Sequence, residues 1–271
     1  MKKILAIICC VWRVGIYYVI LLGYYIIGIL GIVCVLYIKE NTSFAQLLEK
    51  TILFVNEYSL FFYVLISAVS ICSYYFVFIR EKDKSYSDVV QSKLKKDISV
   101  LVFSFGMAAA VIVNMVYNII CWNDNSELIE LSLCEFGVYF LGTVVLVPVI
   151  EELLFRKVLF TRLRSYISDR NAVVASSLMF GLMHGGEFDF IYTFIIGILL
   201  SVLYGRFKKI IYPMLMHIGF NLMAVLIQTV VFNAIESCLL VIGIGFIVCV
   251  FVWHRIALAD RRSKDNEVYS M

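Results

Sequence analysis

Apolar stretches of about 20 residues recur along the 271-residue chain, and that recurrence leaves few folds open to it. A helix needs roughly 20 apolar residues to cross about 30 Å of hydrocarbon, and in lipid every backbone polar group must be satisfied within the protein. Eight stretches fit: residues 14–38, 52–79, 98–122, 131–155, 171–184 (extending towards 188), 190–204, 210–232 and 238–253. The fifth and sixth are short and interrupted by polar residues. With 62% hydrophobic and 16% charged residues, too little polar surface remains to cover a water-soluble fold of this size. The expected class is all-α, a polytopic membrane bundle of about eight transmembrane helices forming one membrane domain over residues 1–271. Residues 4–12 are expected to lie along the interface before the first span, which is too long for a secretory h-region and reads as retained.

Lys and Arg decide orientation, because they hold cytoplasmic loops back from translocation. Every second loop is basic, which puts 20 of the 23 on one side and 2 on the other. An even number of spans with both termini in the cytoplasm accounts for that pattern, and a multi-pass protein of the cell membrane is expected. Acidic residues lean the other way: Asp124, Glu127, Glu130, Glu187, Asp189 and Glu236 all fall in outer loops. A net charge of +3, confined to short loops, gives no reason to expect nucleic-acid binding. The eight cysteines show no metal-like spacing and read as small buried hydrophobes. Gly197, Ser201 and Gly205, four residues apart, form a packing face for close helix approach. Asn114 and Asn118 share a face of the third span and are expected to hydrogen-bond a neighbouring helix.

Ionisable groups at membrane depth are costly and mark function by default. Three clusters follow residue 147: Glu151-Glu152-Leu-Leu-Phe-Arg156, Phe180-Gly-Leu-Met-His184 and His217-Ile-Gly-Phe-Asn221. Glu152 and Arg156, four apart, share a helix face and can neutralise each other. Glu151 then points about 100° away, towards another neighbour. His217 and Asn221 also share a face. The two prolines, Pro148 and Pro213, come just before the first and third clusters and are expected to loosen the helices there. At 1.5 Å per residue the groups fall at similar depths, from ~12 Å for His217 to ~20 Å for His184, so one shared polar chamber is feasible.

With these motifs the chain resembles the type II CAAX prenyl protease family and its bacterial relatives in bacteriocin processing and self-immunity, the Abi or CPBP intramembrane proteases. Glu151-Glu152-x-x-x-Arg156, Phe180-x-x-x-His184 and His217-x-x-x-Asn221 match the family's three motifs in order. Residues 131–232 read as the CAAX-protease-like core, and residues 1–130 as N-terminal helices of unknown role. The resemblance implies an intramembrane endopeptidase acting on a membrane-associated peptide or protein, prenylated or carrying a leader. Glu151 and His184 would activate water, while His217 and Asn221 would stabilise the oxyanion or help hold a metal. Glu152 and Arg156 would support them. The alternatives are a non-catalytic membrane partner (a self-immunity protein or a sensor-kinase regulator) and a proton-coupled transporter. Zinc is the candidate metal, with Glu151, His184 and His217 as ligands. Each of these comes from a separate helix and Asn221 is a poor zinc ligand, so no cofactor is favoured. The lipid bilayer is the other expected partner. The oligomeric state is not encoded in any feature of the sequence.

Overall fold

The computed structural model describes residues 2–40, 43–74, 95–120, 133–227 and 235–268. Among them every regular element is helical: α1 (Lys2–Glu40), α2 (Phe44–Glu57), α3 (Ser59–Tyr74), α4 (Lys96–Ile120), α5 (Leu133–Phe140), α6 (Val147–Glu152), α7 (Thr161–Leu163), α8 (Asp169–Leu182), α9 (Glu187–Phe207), α10 (Ile211–Ile227) and α11 (Ile235–Val268). Two π-helical segments, Leu141–Leu146 and Leu153–Phe160, flank α6. Among the described residues five helices are long and apolar enough to cross a membrane: Ile7–Ile38, Lys96–Ile120, Phe136–Leu163, Glu187–Phe207 and Cys238–Ala259. Their outward faces carry large apolar side chains, such as Leu22, Ile27, Leu240 and Ile247, each more than half exposed. In water such faces would be an aggregation liability, whereas in lipid they cost nothing. The protein is a multi-pass membrane protein.

Several expectations about individual helices are corrected. The second stretch is two helices, α2 and α3, broken at Tyr58, and its end at 75–79 lies outside the described residues. Residues 4–12 continue directly into the first span within α1. At 14 and 17 residues, α8 and α10 fall short of a full span. Most of the basic stretch 80–97, the acidic residues Asp124, Glu127 and Glu130, and the end of the seventh stretch at 228–232 also lie outside the described residues. Of the described cysteines, Cys10 and Cys238 are buried, whereas Cys9, Cys34 and Cys72 sit on exposed helix faces.

The chain divides into two compact units, residues 1–83 with 130–150 and residues 84–129 with 151–271. In the first, α1 packs against α2 and α3, and the Tyr24 hydroxyl meets Ser73 Oγ at 2.8 Å. The second holds all three motif clusters. Its core is built from α4, α9, α10 and α11, around Val102, Phe105, Leu200, Met216, Phe220 and Ile256. The tightest crossing is α4 on α10. A Cβ at Gly106 would collide with the Met216 carbonyl, and one at Gly219 with the Phe103 carbonyl. Only glycine permits that approach from both sides, and the crossing fixes the part of α10 that carries His217. Small residues also set the α8–α9 pair: Gly197 faces Ser177 and Phe180, Gly181 faces Phe190 and Phe194, and Ser201 Oγ lies 3.5 Å from Ser177 Oγ. Asn114 bonds back to the Ala110 carbonyl of its own helix at 2.8 Å, not to a neighbour; a carbonyl four residues back is always within reach of a short amide side chain.

Candidate active site

Local chemistry explains where each site element starts and stops. Pro148 has no N–H to donate to Val144, and the residues just before it form the first π-helical segment, where the Val147 N–H reaches back to Gly142. A second π-segment follows Glu152, and both the N–H and the hydroxyl of Thr161 reach the Arg156 carbonyl. The two glutamates therefore sit on a short α-helical turn between two widened ones. Pro213, in contrast, lies in the first turn of α10, where no donor is needed, so it does not loosen that helix. Ser168 caps α8 by accepting from the Asn171 N–H at 3.3 Å. Just before it, Arg164 holds Asp169 through two hydrogen bonds of 2.9 and 2.6 Å, which keeps that carboxyl below its ordinary range. At its other end α8 stops at Leu182. His184 lies in the turn beyond, where Gly186 takes a positive φ of 83° and starts α9.

The turn brings His184 to Glu151 with an Nε2–Oε1 distance of 4.0 Å. His217, from α10, reaches the other oxygen of the same carboxylate, with Nε2–Oε2 at 3.7 Å. Glu151 is 18% exposed and His184 26%, while His217 is buried. Asn221, half-buried, follows one turn after His217 on α10. Glu151, His184 and His217, widely separated in sequence, thus meet around one carboxylate.

Behind them lies a fully buried layer. Arg156 Nη1 stands 3.0 Å from Glu152 Oε1, an ion-pair distance without hydrogen-bond alignment. Arg156 Nη2 donates to the Gly197 carbonyl at 3.3 Å, and the guanidinium lies 4.4 Å from the centre of the Phe180 ring. Glu152 has a second partner absent from the sequence reading: the same Oε1 accepts from His217 Nδ1 at 2.9 Å. Glu152 Oε2 and Arg156 Nε are buried without a hydrogen-bond partner among the described residues. Phe180, to which the sequence reading gave no role of its own, ties the layers together. Its ring makes edge contacts with His184 and His217, at centroid distances of 4.7 and 5.8 Å, and its carbonyl meets His184 Nδ1 at 2.8 Å. The Ser176 hydroxyl clamps α8 to the Phe155 carbonyl at 2.9 Å.

These contacts assign protons. A carbonyl only accepts, so His184 Nδ1 carries its hydrogen. Glu152, charged against Arg156, likewise accepts, so His217 Nδ1 carries its own. When neutral, both rings turn a bare Nε2 lone pair towards Glu151.

Residues 134–223 match the family described as type II CAAX prenyl endopeptidase Rce1-like. This segment, about a third of the chain, is similar to that family. It contains both glutamates, both histidines and Asn221. Two curated relatives resemble part of the chain. One, from Staphylococcus aureus strain USA300, is named "Membrane-embedded CAAX protease MroQ" and is 26% identical over 135 residues, which are 47% of this chain and 54% of the relative. The other, from Bacillus subtilis strain 168, is named "Putative membrane peptidase YdiL" and is 31% identical over 81 residues, 30% of this chain and 33% of the relative. The chain therefore spans between a third and about half the length of the relatives it matches. No solved structure matches the chain. Outside the matched segment, α4 and its Gly106 brace α10.

Proposed function

We propose that the protein is an intramembrane endopeptidase that hydrolyses a peptide bond of a membrane-associated substrate, of the prenylated or leader-bearing kind. The observation that carries this reading is the meeting of Glu151, His184 and His217 from separate elements around one carboxylate. A water between Glu151 and His184 can donate one hydrogen to each, leaving its oxygen lone pair free for a scissile carbonyl. Glu151 is the general base and His184 the second acceptor that orients the attack. Asn221 supplies an amide donor to the oxyanion, which acts strongly where bulk water is excluded.

The donor types would suit zinc, but the spacing does not. Ligands at 2.0–2.2 Å around a tetrahedral ion lie about 3.3–3.6 Å apart, whereas the two distances to Glu151 are 4.0 and 3.7 Å. No group of three possible ligands among the described residues is close enough to hold a metal ion. We propose that the side chains alone activate the water.

Purified full-length protein in detergent, given a prenylated or leader-bearing peptide, should cleave it, and the Glu151→Gln and His184→Ala variants should not. Asn221→Ala should keep a residue of activity, about 10²–10³ below wild type. Cleavage by Glu151→Gln at the wild-type rate would overturn the reading. Both termini are proposed to be cytoplasmic in the cell membrane, so a cysteine at Ser237 should label from outside and one at Ser165 only from within.

A further inference from the structure

In the second unit, where α9 turns into α10, positive charge gathers at the foot of an uncovered apolar face of α8, and we propose that the two together bind one anionic phospholipid. Residues 161–170 and 205–210 carry six Lys and Arg against one Asp. That carboxylate, Asp169, is already held by Arg164 through both its oxygens, at 2.9 and 2.6 Å. Arg170, next to it, and Lys208, at the end of α9, are exposed, and Lys208 is close enough for its charge to act on Asp169. The antiparallel register of α8 and α9 brings the cations together. Gly181 meets Phe190 and Phe194, Gly197 meets Ser177, and Ser177 meets Ser201. Carried one step further, the same register sets the foot of α8 against the end of α9.

Lys208 holds an unfavourable backbone conformation. With φ 54° and ψ 21° it is left-handed, the one non-glycine residue of positive φ among the described residues. Its N–H closes α9 on the Tyr204 carbonyl at 2.7 Å, a place that glycine fills most readily. A lysine there points to a use for its side chain. From Arg170, Val174, Leu178 and Leu182 follow at four-residue spacing along α8, exposed by 50, 41 and 59%. Arg170 to Leu182 measures about 18 Å at 1.5 Å per residue, close to the about 15 Å of hydrocarbon in one leaflet. The apolar span Glu187–Phe207 ends just before Lys208, so the cations stand where hydrocarbon gives way to headgroups. An acyl chain laid along the α8 stripe thus has its phosphate at Arg170 and Lys208. A soluble anion or an acidic peptide would use the cations and leave the stripe bare. A zwitterionic lipid would cover the stripe but bring a cation of its own to these two. An anionic phospholipid matches both features.

Binding can be read with no peptide substrate, so it stands or falls apart from the peptidase reading. Full-length protein in non-ionic detergent is titrated with phosphatidylglycerol or phosphatidylcholine and examined by native mass spectrometry. The first lipid retained should be phosphatidylglycerol, preferred by about 25-fold, or about fivefold for each of the two cations. Arg170→Gln and Lys208→Gln should each lower that preference about fivefold. Leu178→Asn should weaken both lipids alike, and unchanged binding in that variant would place the lipid elsewhere and overturn the inference. Arg261→Gln, which removes an exposed cation on α11, should change nothing. An equal loss there would mean diffuse attraction to net charge, with no site. Lys208→Gly separates a lipid ligand from a lysine that only ends a helix. Glycine relieves the left-handed backbone, so without added lipid this variant should melt no lower than wild type, while its preference for phosphatidylglycerol falls as in Lys208→Gln. Undiminished preference in Lys208→Gly would overturn the inference. Inorganic phosphate in large excess should leave bound phosphatidylglycerol in place. Displacement by it would make this a free-anion site and refute the lipid.

Discussion

Glu152 and His217 meet at 2.9 Å across 65 positions of sequence, and the same carboxylate oxygen also faces Arg156 at 3.0 Å. One anion thus compensates a buried guanidinium and orients a buried imidazole.

Removing that anion should be severe. Glu152→Ala takes from Arg156, fully buried, the carboxylate that pairs with it, and breaking one side of a buried pair costs about 3–5 kcal/mol. Thermal unfolding in detergent should show a large loss. Glu152→Ala combined with Arg156→Leu should recover much of it, because the stranded charge goes too. The double variant should remain inactive, since His217 still lacks its partner. A double variant no more stable than the single one would show that the cost lies elsewhere.

The α4–α10 crossing gives a second test. At Gly106 and Gly219 an added methyl meets backbone carbonyls that cannot rotate aside, so Gly106→Ala and Gly219→Ala should each destabilise by at least the ~1–3 kcal/mol of ordinary overpacking. Gly243→Ala, on α11, meets nothing within 4 Å and should be neutral or stabilise by up to about 1 kcal/mol as a helix substitution. Equal effects at all three positions would contradict the described packing.

Much of this was legible in the sequence, and the remainder failed for physical reasons. Apolar length announced a helical membrane protein, and membrane depth singled out Glu151, His184 and His217 because charges in lipid need a reason. Spacing of four residues found the Glu152–Arg156 pair, since that contact is local. The Glu152–His217 bond is not local, and nothing along the chain signals which of two adjacent glutamates will turn to a histidine 65 residues away. The π-segments were hidden for a similar reason, because Pro148 announces a disturbed helix without saying how the carbonyls will be re-satisfied. The end of α8 was legible to within two residues, at 184 against Leu182, and Gly185-Gly186, followed by the acidic residues Glu187 and Asp189, is a stop and a new helix start. The mate of Gly106 lies on α10, so its role shows only once α4 and α10 are packed together.

Acid should selectively remove one contribution at the surface. Arg164 lowers the Asp169 carboxyl from its ordinary value, so the folded state favours the charged form. The stabilisation is fully present above the unfolded pKa of about 3.9, and it is lost as pH falls through the lower folded value. Asp169 is 67% exposed, so the effect at neutral pH should stay under about 1 kcal/mol. Asp169→Asn should be slightly less stable than wild type at pH 7, and the difference should close only at strongly acidic pH. A gap that persists unchanged into acid would assign the effect to capping of α8 instead of charge.

The last prediction concerns metal content, where the geometry can be checked without any substrate. Glu151, His184 and His217 offer one carboxylate and two bare ring nitrogens, the donor types zinc prefers, with a carbonyl and a carboxylate behind the rings as outer partners. What is missing is closeness: the nitrogens stand 4.0 and 3.7 Å from the Glu151 oxygens, wider than the about 3.3–3.6 Å edge of a tetrahedral site. That extra width suits a water held by hydrogen bonds between acceptors. Purified protein should therefore contain well under one zinc per chain by elemental analysis, and chelator treatment should leave both cleavage and the histidine ring spectra unchanged. Stoichiometric zinc, with activity lost on chelation and restored by the metal, would reverse the assignment. Glu151 and both histidines would then be ligands drawn together by the ion.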